Sequence, residues 1–340
     1  MTKPFLSIII PYYNAAGTIG GLLTSIARSK HAPPYEVIVV DDGSKDKYEI
    51  RNTKYEIPLK LIRLKRNMGP AVARNRGVRA ARGKFIVFLD SDVEVFPDTL
   101  SQIAKIYTDD PDIVALTGVW VKNQRSRAFF PNFKALRDWS YWINERDKSG
   151  YYFLFSTRIA SIKRSVFMRL GGFDETYPAP LVEDIELTYR IARRYAIIFA
   201  PSVRVRHEFE DFWPIAKKYF LRAFYWTRLY RRRKRFDPVA TTWSEAVTTI
   251  SAVATLFFGL VSLFAAVGIP SISNITYQIS NSIWVKLFIG SLLLHIFLIR
   301  KFLAFLVREK GFIFAVKGFF TGLILYCFIF AGAAAGRIAP

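Results

Sequence analysis

Asp90 and Asp92, separated only by Ser91, are the residues whose types and spacing best suit chemistry. They follow Gly83 and an unbroken apolar run, Phe85-Ile86-Val87-Phe88-Leu89. A run this rich in β-branched and aromatic residues predicts a short strand covered on both faces, as in a parallel sheet. The run stops abruptly, so two carboxylates stand where a buried strand emerges. Open α/β sheets bind ligands at the carboxyl ends of their strands. Paired carboxylates suit a hard divalent cation, magnesium or manganese, whose shell substrate phosphates complete. The plain alternative is a polar strand end or a helix cap, where Asp and Ser are common. A second acidic pair, Asp41-Asp42, closes another stretch that reads as a buried strand, Glu36–Val40. Both pairs then fall along one edge of the sheet, where a nucleotide could be held.

The elements that must position these residues alternate along the chain. Leu6–Ile10 reads as a strand ended by Pro11, with a turn at Tyr12-Tyr13-Asn14. Thr18–Arg28 has helical spacing, with Ile19, Leu22, Leu23 and Ile26 on one face. Strands follow at Glu36–Val40 and Leu59–Leu64, and Asn67-Met68-Gly69-Pro70 turns into a helix, Ala71–Ala81. Strand and helix repeated at this pace predict βαβ units and a mostly parallel sheet. Further on come a helix at Asp98–Tyr107, a strand at Ile113–Val121 and a strand at Ser202–Arg206 that ends on His207. Ala128–Asn144 is dense in aromatics interleaved with Lys134 and Arg137. It suits either core packing or a segment lying on a membrane surface.

Four motifs, SIIIPYYN, VVDDGS, NMGPAVARNRG and FLDSDV, in this order and spacing, resemble family 2 glycosyltransferases of the GT-A fold. The resemblance runs from about Lys3 to Glu210. It implies an α/β catalytic domain over residues 1–210, Rossmann-like with a mostly parallel sheet, that uses a nucleotide-sugar donor and a divalent metal. By the same resemblance, Pro11, Tyr13 and Asn14 line the nucleotide pocket, and Asp41 and Asp42 contact base and ribose. Arg74 and Asn75 lie at a helix start beside the nucleotide. Asp90, Ser91 and Asp92 match the D-x-D motif that holds the metal and the donor diphosphate. The structural alternatives are that Asn75 packs a helix end and that Tyr12 belongs to the core. Gly171-Gly172-Phe173-Asp174-Glu175 resembles the stretch before the family's catalytic acid. Glu183-Asp184 matches its Glu-Asp motif, with Asp184 as general base and Glu183 as a supporting or acceptor contact. By itself, such a pair is a dipole-matched first turn of a helix. His207 falls where related enzymes place a histidine near metal and diphosphate, although a lone histidine is usually structural.

Beyond Glu210 the composition changes. Across 340 residues the net charge is +22, with 51% hydrophobic and 16% aromatic residues. High apolarity with strong positive charge indicates a membrane protein with a basic cytoplasmic side. Asp211–Phe236 places Ile215, Tyr219, Phe220, Ala223 and Tyr230 at helical spacing and ends in Arg231-Arg232-Arg233-Lys234-Arg235. A basic amphipathic helix of this kind, within residues 211–243, suits an anionic leaflet better than a nucleic acid when a spanning segment follows. Three such segments fall within residues 244–340, at about 246–269, 282–299 and 312–336, together an all-α transmembrane region. The loop Pro270–Asn281 carries no charge, whereas Arg300–Gly311 carries Arg300, Lys301, Arg308 and Lys310 against Glu309 alone. Positive-inside counting therefore places the catalytic domain in the cytoplasm, as in a prokaryotic inner or plasma membrane. The single Cys327 leaves no internal disulfide.

The expected activity is inverting transfer of a sugar to a membrane lipid or lipid-linked acceptor. A hydroxyl acceptor needs a base and a phosphate does not, so Asp184 favours the hydroxyl, with a polyprenyl-phosphate sugar synthase as the runner-up. A processive polysaccharide synthase would show a Gln-x-x-Arg-Trp motif, which Lys217–Arg222 does not offer. A non-enzymatic membrane scaffold would not need acidic pairs at three element ends. The sequence leaves the oligomeric state open.

Overall fold

Apolar runs with no polar face become the inner strands of a sheet, and here they set its centre. The computed structural model describes residues 3–46, 50, 55–145, 152–177, 181–234, 242–267 and 281–338. The chain forms two units. One comprises Met1–Arg127 with Lys148–Phe209, the other Ala128–Asp147 with Glu210–Pro340.

The first unit is built on an eight-stranded mixed sheet of order β3-β2-β1-β4-β7-β6-β8-β5. Its strands are β1 (Leu6–Tyr12), β2 (Tyr35–Asp41), β3 (Leu59–Arg63), β4 (Phe85–Leu89), β5 (Val93–Val95), β6 (Ala115–Trp120), β7 (Ile159–Lys163) and β8 (Ile197–His207). The helices are α1 (Ala16–Ala27), α2 (Pro70–Ala80), α3 (Thr99–Asp109), α5 (Arg164–Arg169) and α6 (Glu183–Ala192). β3, β2, β1 and β4 run parallel, whereas β7 is antiparallel to both β4 and β6. β1 and β4 are central and buried on both faces, as their unbroken apolar runs require. The strand order reverses beside β1, because β2 and β3 lie on one side of it and β4 on the other. This is the switch point at which such sheets bind ligands.

Two elements outrun their sequence patterns. β1 continues through Pro11 to Tyr12, since its pairing with β4 ends at Ile9↔Phe88 and the missing Pro11 N–H leaves no bond unmade. β8 begins five residues earlier than the Ser202 expected. It pairs with β6 at Ala115↔Ile197, shifts register between Thr117 and Val119, and then pairs with β5. Gly118 sits at that shift, where a Cβ would stand 2.3 Å from the Val203 carbonyl oxygen.

The second unit is helical. It contains α4 (Phe129–Ser140), α7 (Phe212–Arg233), α8 (Trp243–Val267), α9 (Asn281–Lys310) and α10 (Phe312–Ile338). The last three are long and apolar enough to cross a membrane. The aromatic segment that suited either core or membrane surface is α4, and its Phe130, Phe133 and Leu136 pack with Ile215, Leu306 and Leu325 in this unit's core. Its cations are sheltered. Lys134 is buried and paired with Asp138, while the Arg137 guanidinium lies over the Tyr219 and Tyr326 rings at 5.3 and 4.8 Å. Apart from Asn281, the expected loop Pro270–Asn281 lies outside the described residues, as do Arg235 and Phe236.

The bulge makes a local prediction. Gly118→Ala forces its methyl against backbone rather than a flexible side chain, and should cost on the order of 1–3 kcal/mol. Thermal unfolding in detergent measures it, and an unchanged midpoint would contradict the packing described at β6 and β8.

Candidate active site

The site is assembled at the carboxyl ends of β1, β2 and β4. Its middle is a buried cation. Arg74, in α2, has a side chain only 2% exposed, and it donates from Nη1 to Glu183 Oε1 at 2.7 Å and from Nη2 to Asp90 Oδ1 at 2.8 Å. The Phe173 ring lies 5.5 Å from the guanidinium. Burial works against its charge, but the two carboxylates outweigh burial and raise its pKa. Glu183 is as deeply buried, and its second oxygen accepts the Leu181 N–H at 2.9 Å. One guanidinium thus joins the end of the central strand to the first turn of α6.

α2 is held at two further points. Asp42 is buried and accepts from the Met68 and Gly69 N–H groups, both at 2.8 Å, which fixes the turn into the helix. Burial pushes the Asp42 carboxyl above the usual range, against those two hydrogen bonds. Gly69, at φ 93°, takes a conformation open to glycine, and Pro70 starts the helix behind it. Asn75, next to Arg74, donates to the Phe173 carbonyl and to Glu175 and accepts the Phe173 N–H, each at 2.9 Å. The geometry at Asn75 is therefore that of a clamp between α2 and the 173–175 loop.

The loops after β1 and β2 are tied to each other. Asn14, at φ 48°, donates its N–H to Ser44 Oγ at 3.0 Å and accepts from the Lys45 N–H at 2.8 Å. Asp46 accepts from the Tyr12 hydroxyl at 2.5 Å and from the Ala16 N–H at 2.9 Å. Tyr12 is buried, as its structural alternative required, whereas Tyr13 is exposed and Pro11 half-buried. Asp41 accepts from the Ser44 N–H at 2.9 Å and lies 3.9 Å from Arg63 Nε.

Beyond Asp90 the chain turns into β5, and the pair Val93↔His207 brings β8 alongside. Asp92 Oδ2 then lies 3.4 Å from His207 Nε2, with the carboxylate 46% exposed and the imidazole 13%. His207 Nδ1 is buried and finds no hydrogen-bond partner among the described residues. Asp92 and His207 therefore stand side by side, and Asp90, held by Arg74, lies two residues before Asp92. Among the described residues no three His, Cys, Asp or Glu side chains gather into a preformed cation site. Two carboxylates with one imidazole fit a hard cation that shares its shell with substrate phosphates. Asp184, beside Glu183 in the first turn of α6, is half-buried and accepts the Ile185 N–H at 2.8 Å.

Three supporting residues carry no motif. Gln124 donates to the His207 carbonyl at 3.0 Å and accepts the Phe209 N–H at 2.8 Å, which steadies the strand end that bears the imidazole. Arg125 grips Glu94 of β5 through two bonds, at 2.7 and 2.6 Å. Arg158 precedes Ile159, the residue paired with Leu89, so it lies across from Asp90, with its guanidinium 4.2 Å from the Trp120 ring. Only strand pairing places these side chains at the site. Asp46 alone had a signal, as the next acid after the Asp41-Asp42 pair.

Residues 7–171 match the family model described as glycosyl transferase family 2. The succinoglycan biosynthesis protein ExoO of Rhizobium meliloti is 39% identical over 124 residues, covering 34% of this chain and 35% of that protein. The dodecaprenyl-phosphate galacturonate synthase of Rhizobium johnstonii is 31% identical over 131 residues, 36% of this chain and 38% of that protein. The chain therefore spans little more than a third of the length of these curated relatives. Among solved structures, the mannosyltransferase PcManGT of Pyrobaculum calidifontis, in complex with GDP-Man and Mn2+, aligns with a TM-score of 0.58 at 19% identity. That alignment covers 99% of this chain and 88% of the other, and it shows a shared fold.

The buried cation makes a test of the site's architecture. Arg74→Met strands the Glu183 charge in the interior, and stability should fall by the ~3–5 kcal/mol typical of a broken buried pair. Adding Glu183→Leu should recover part of that loss. A double-mutant cycle read by thermal unfolding checks it, and additive losses would mean that the two groups are not coupled.

Proposed function

We propose, from the premise that this chain belongs to glycosyl transferase family 2 through its residues 7–171, that it moves a sugar from a nucleotide-sugar donor to a membrane lipid or lipid-linked acceptor. The observation that carries this reading is the Arg74 bridge. It brings the D-x-D strand end and the Glu-Asp helix start, far apart in sequence, onto one guanidinium. A scaffold protein would have no reason to bury that arrangement.

Each residue takes a role in the proposed transfer. Asp41 and the Tyr13-Asn14 loop face the donor nucleotide at the ends of β1 and β2. Asp42 acts on that pocket indirectly, by fixing the turn before α2. Asp90, Asp92 and His207 would hold a divalent cation together with the donor diphosphate, a reading supported by the Mn2+ and GDP-Man in the complex of the structural relative. When bound, such a cation offsets the negative charge that grows on the departing diphosphate. Asp184 accepts the proton of the acceptor hydroxyl as its oxygen attacks the anomeric carbon from the side opposite the diphosphate. The bond to the diphosphate breaks in the same displacement, so the anomeric configuration inverts. Glu183 positions Asp184, because Arg74 and the Leu181 N–H fix the first turn of α6. The basic helix α7, and Arg300, Lys301, Arg308 and Lys310 towards the end of α9 where the sequence suggested a loop, support a cytoplasmic catalytic unit.

A second reading has its own support. The galacturonate synthase relative acts on a dodecaprenyl phosphate by its name, and a phosphate acceptor is already an anion. Asp184→Asn separates the two. For a hydroxyl acceptor, turnover should drop by the ~10²–10⁴ that general-base catalysis contributes, with donor binding retained. Near-normal transfer would favour the phosphate.

Metal use gives a further prediction. Asp92→Ala removes a partly exposed carboxylate beside His207 and should abolish nucleotide-sugar turnover, with thermal unfolding as the check that the fold is kept. Hydrolysis of a panel of nucleotide sugars with manganese, with and without chelator, measures it. A wild-type chain indifferent to chelator would count against the cation.

A further inference from the structure

Helix α10 is almost wholly apolar, with Lys317 near its start and Arg337 near its end, and it packs along the strongly basic α7. A Cβ at Gly332 would stand 2.1 Å from the Phe220 carbonyl oxygen, and one at Gly336 would stand 2.4 Å from the Phe224 carbonyl oxygen. Two glycines one turn apart thus receive two carbonyls one turn apart, in the same chain order. Small residues at this spacing let helix backbones approach closely, and the order means that α7 and α10 run side by side in the same direction. The register extends both ways. The Phe212 and Trp213 rings lie 6.2 and 6.3 Å from Phe328, and Arg231 Nη1 donates to the Arg337 carbonyl at 3.3 Å.

α7 cannot enter hydrocarbon. Between Phe212 and Arg233 it holds Lys217, Lys218, Arg222, Arg228, Arg231, Arg232 and Arg233 and no acidic residue. Each cation at the bilayer centre carries a desolvation penalty, and seven on one helix make that position untenable. Whatever depth α7 keeps, the second half of α10 keeps too. The first half packs through side chains against α4, which bears Lys134, Arg137 and Asp138. The Phe129 and Phe314 rings are 4.8 Å apart, and Gly318 lies against Phe133. α9 marks the depth. Its 30 residues extend ~45 Å against a hydrocarbon core of ~30 Å, so its end with Arg300 and Lys301 lies outside the core. His295, which touches Phe319 and Tyr326 of α10, is little more than one turn beyond Arg300.

We propose that α10 does not cross the bilayer. It lies in one leaflet as the lipid-facing floor of a layer formed with α4 and α7, and it presents Phe312, Ile313, Phe320, Ile324 and Phe330 to the acyl chains. The chain crosses only twice, through α8 and α9. Only Glu210 and Asp211 stand between Phe209 and α7, too short a stretch to cross a bilayer, so the chain reaches α7, and the C-terminus packed along it, without a crossing. Three crossings would put the C-terminus on the opposite side.

The test is sidedness in the full chain. With Cys327→Ser as background, Ile338→Cys is compared with Lys105→Cys, an exposed position in the first unit, in sealed vesicles treated with a membrane-impermeant maleimide. The two positions should label together, both protected or both modified. Labelling of one from outside and of the other only after the vesicles are opened would overturn the proposal. The readout does not depend on activity, so it stands or falls apart from the assigned reaction.

Discussion

A cation buried between two carboxylates is the constraint on which the catalytic unit depends. A charge in the interior must be compensated at short range, and Arg74 can be compensated only if Asp90 and Glu183 reach it together. That requirement sets the position of α6 against the end of β4 to within a hydrogen bond. It also divides labour between the acids. Glu183 spends both oxygens on holding the helix start, while Asp90 gives one oxygen to Arg74.

The neighbours of Arg74 extend the same logic along α2. Asp42 fixes the start of the helix through two backbone N–H groups, and Asn75 fixes its outer face to the 173–175 loop. Several residues that resemble ligand contacts therefore act first on the protein itself. Arg74 with its two carboxylates, and Asn75 with the 173–175 loop, hold their geometry through protein–protein hydrogen bonds before any substrate arrives.

The helical unit obeys a different constraint. In an apolar environment backbones associate through small residues, and charged helices stay near water. Gly318, Gly332 and Gly336 supply the first condition, and the cations of α4 and α7 supply the second.

Most of the first unit was legible in the sequence, because runs such as Phe85–Leu89 and Val37–Val40 are short, apolar and rich in β-branched or aromatic residues, as buried strands are, and because acids at their ends break the pattern abruptly. The three long apolar helices were legible for the same reason, since length and hydropathy suffice to see them. What the linear pattern could not decide was pairing. The contact of His207 with Asp92 exists only because β8 runs antiparallel to β5. Arg158 stands across from Asp90 only through the register of β7 on β4. The sequence marked Arg74 and Glu183 as separate motif residues, and only the fold made them one ion pair. Hydropathy likewise finds an apolar helix but not its neighbours. That α10 lies along α7 was decided by glycines whose missing side chains matter only where a second backbone arrives.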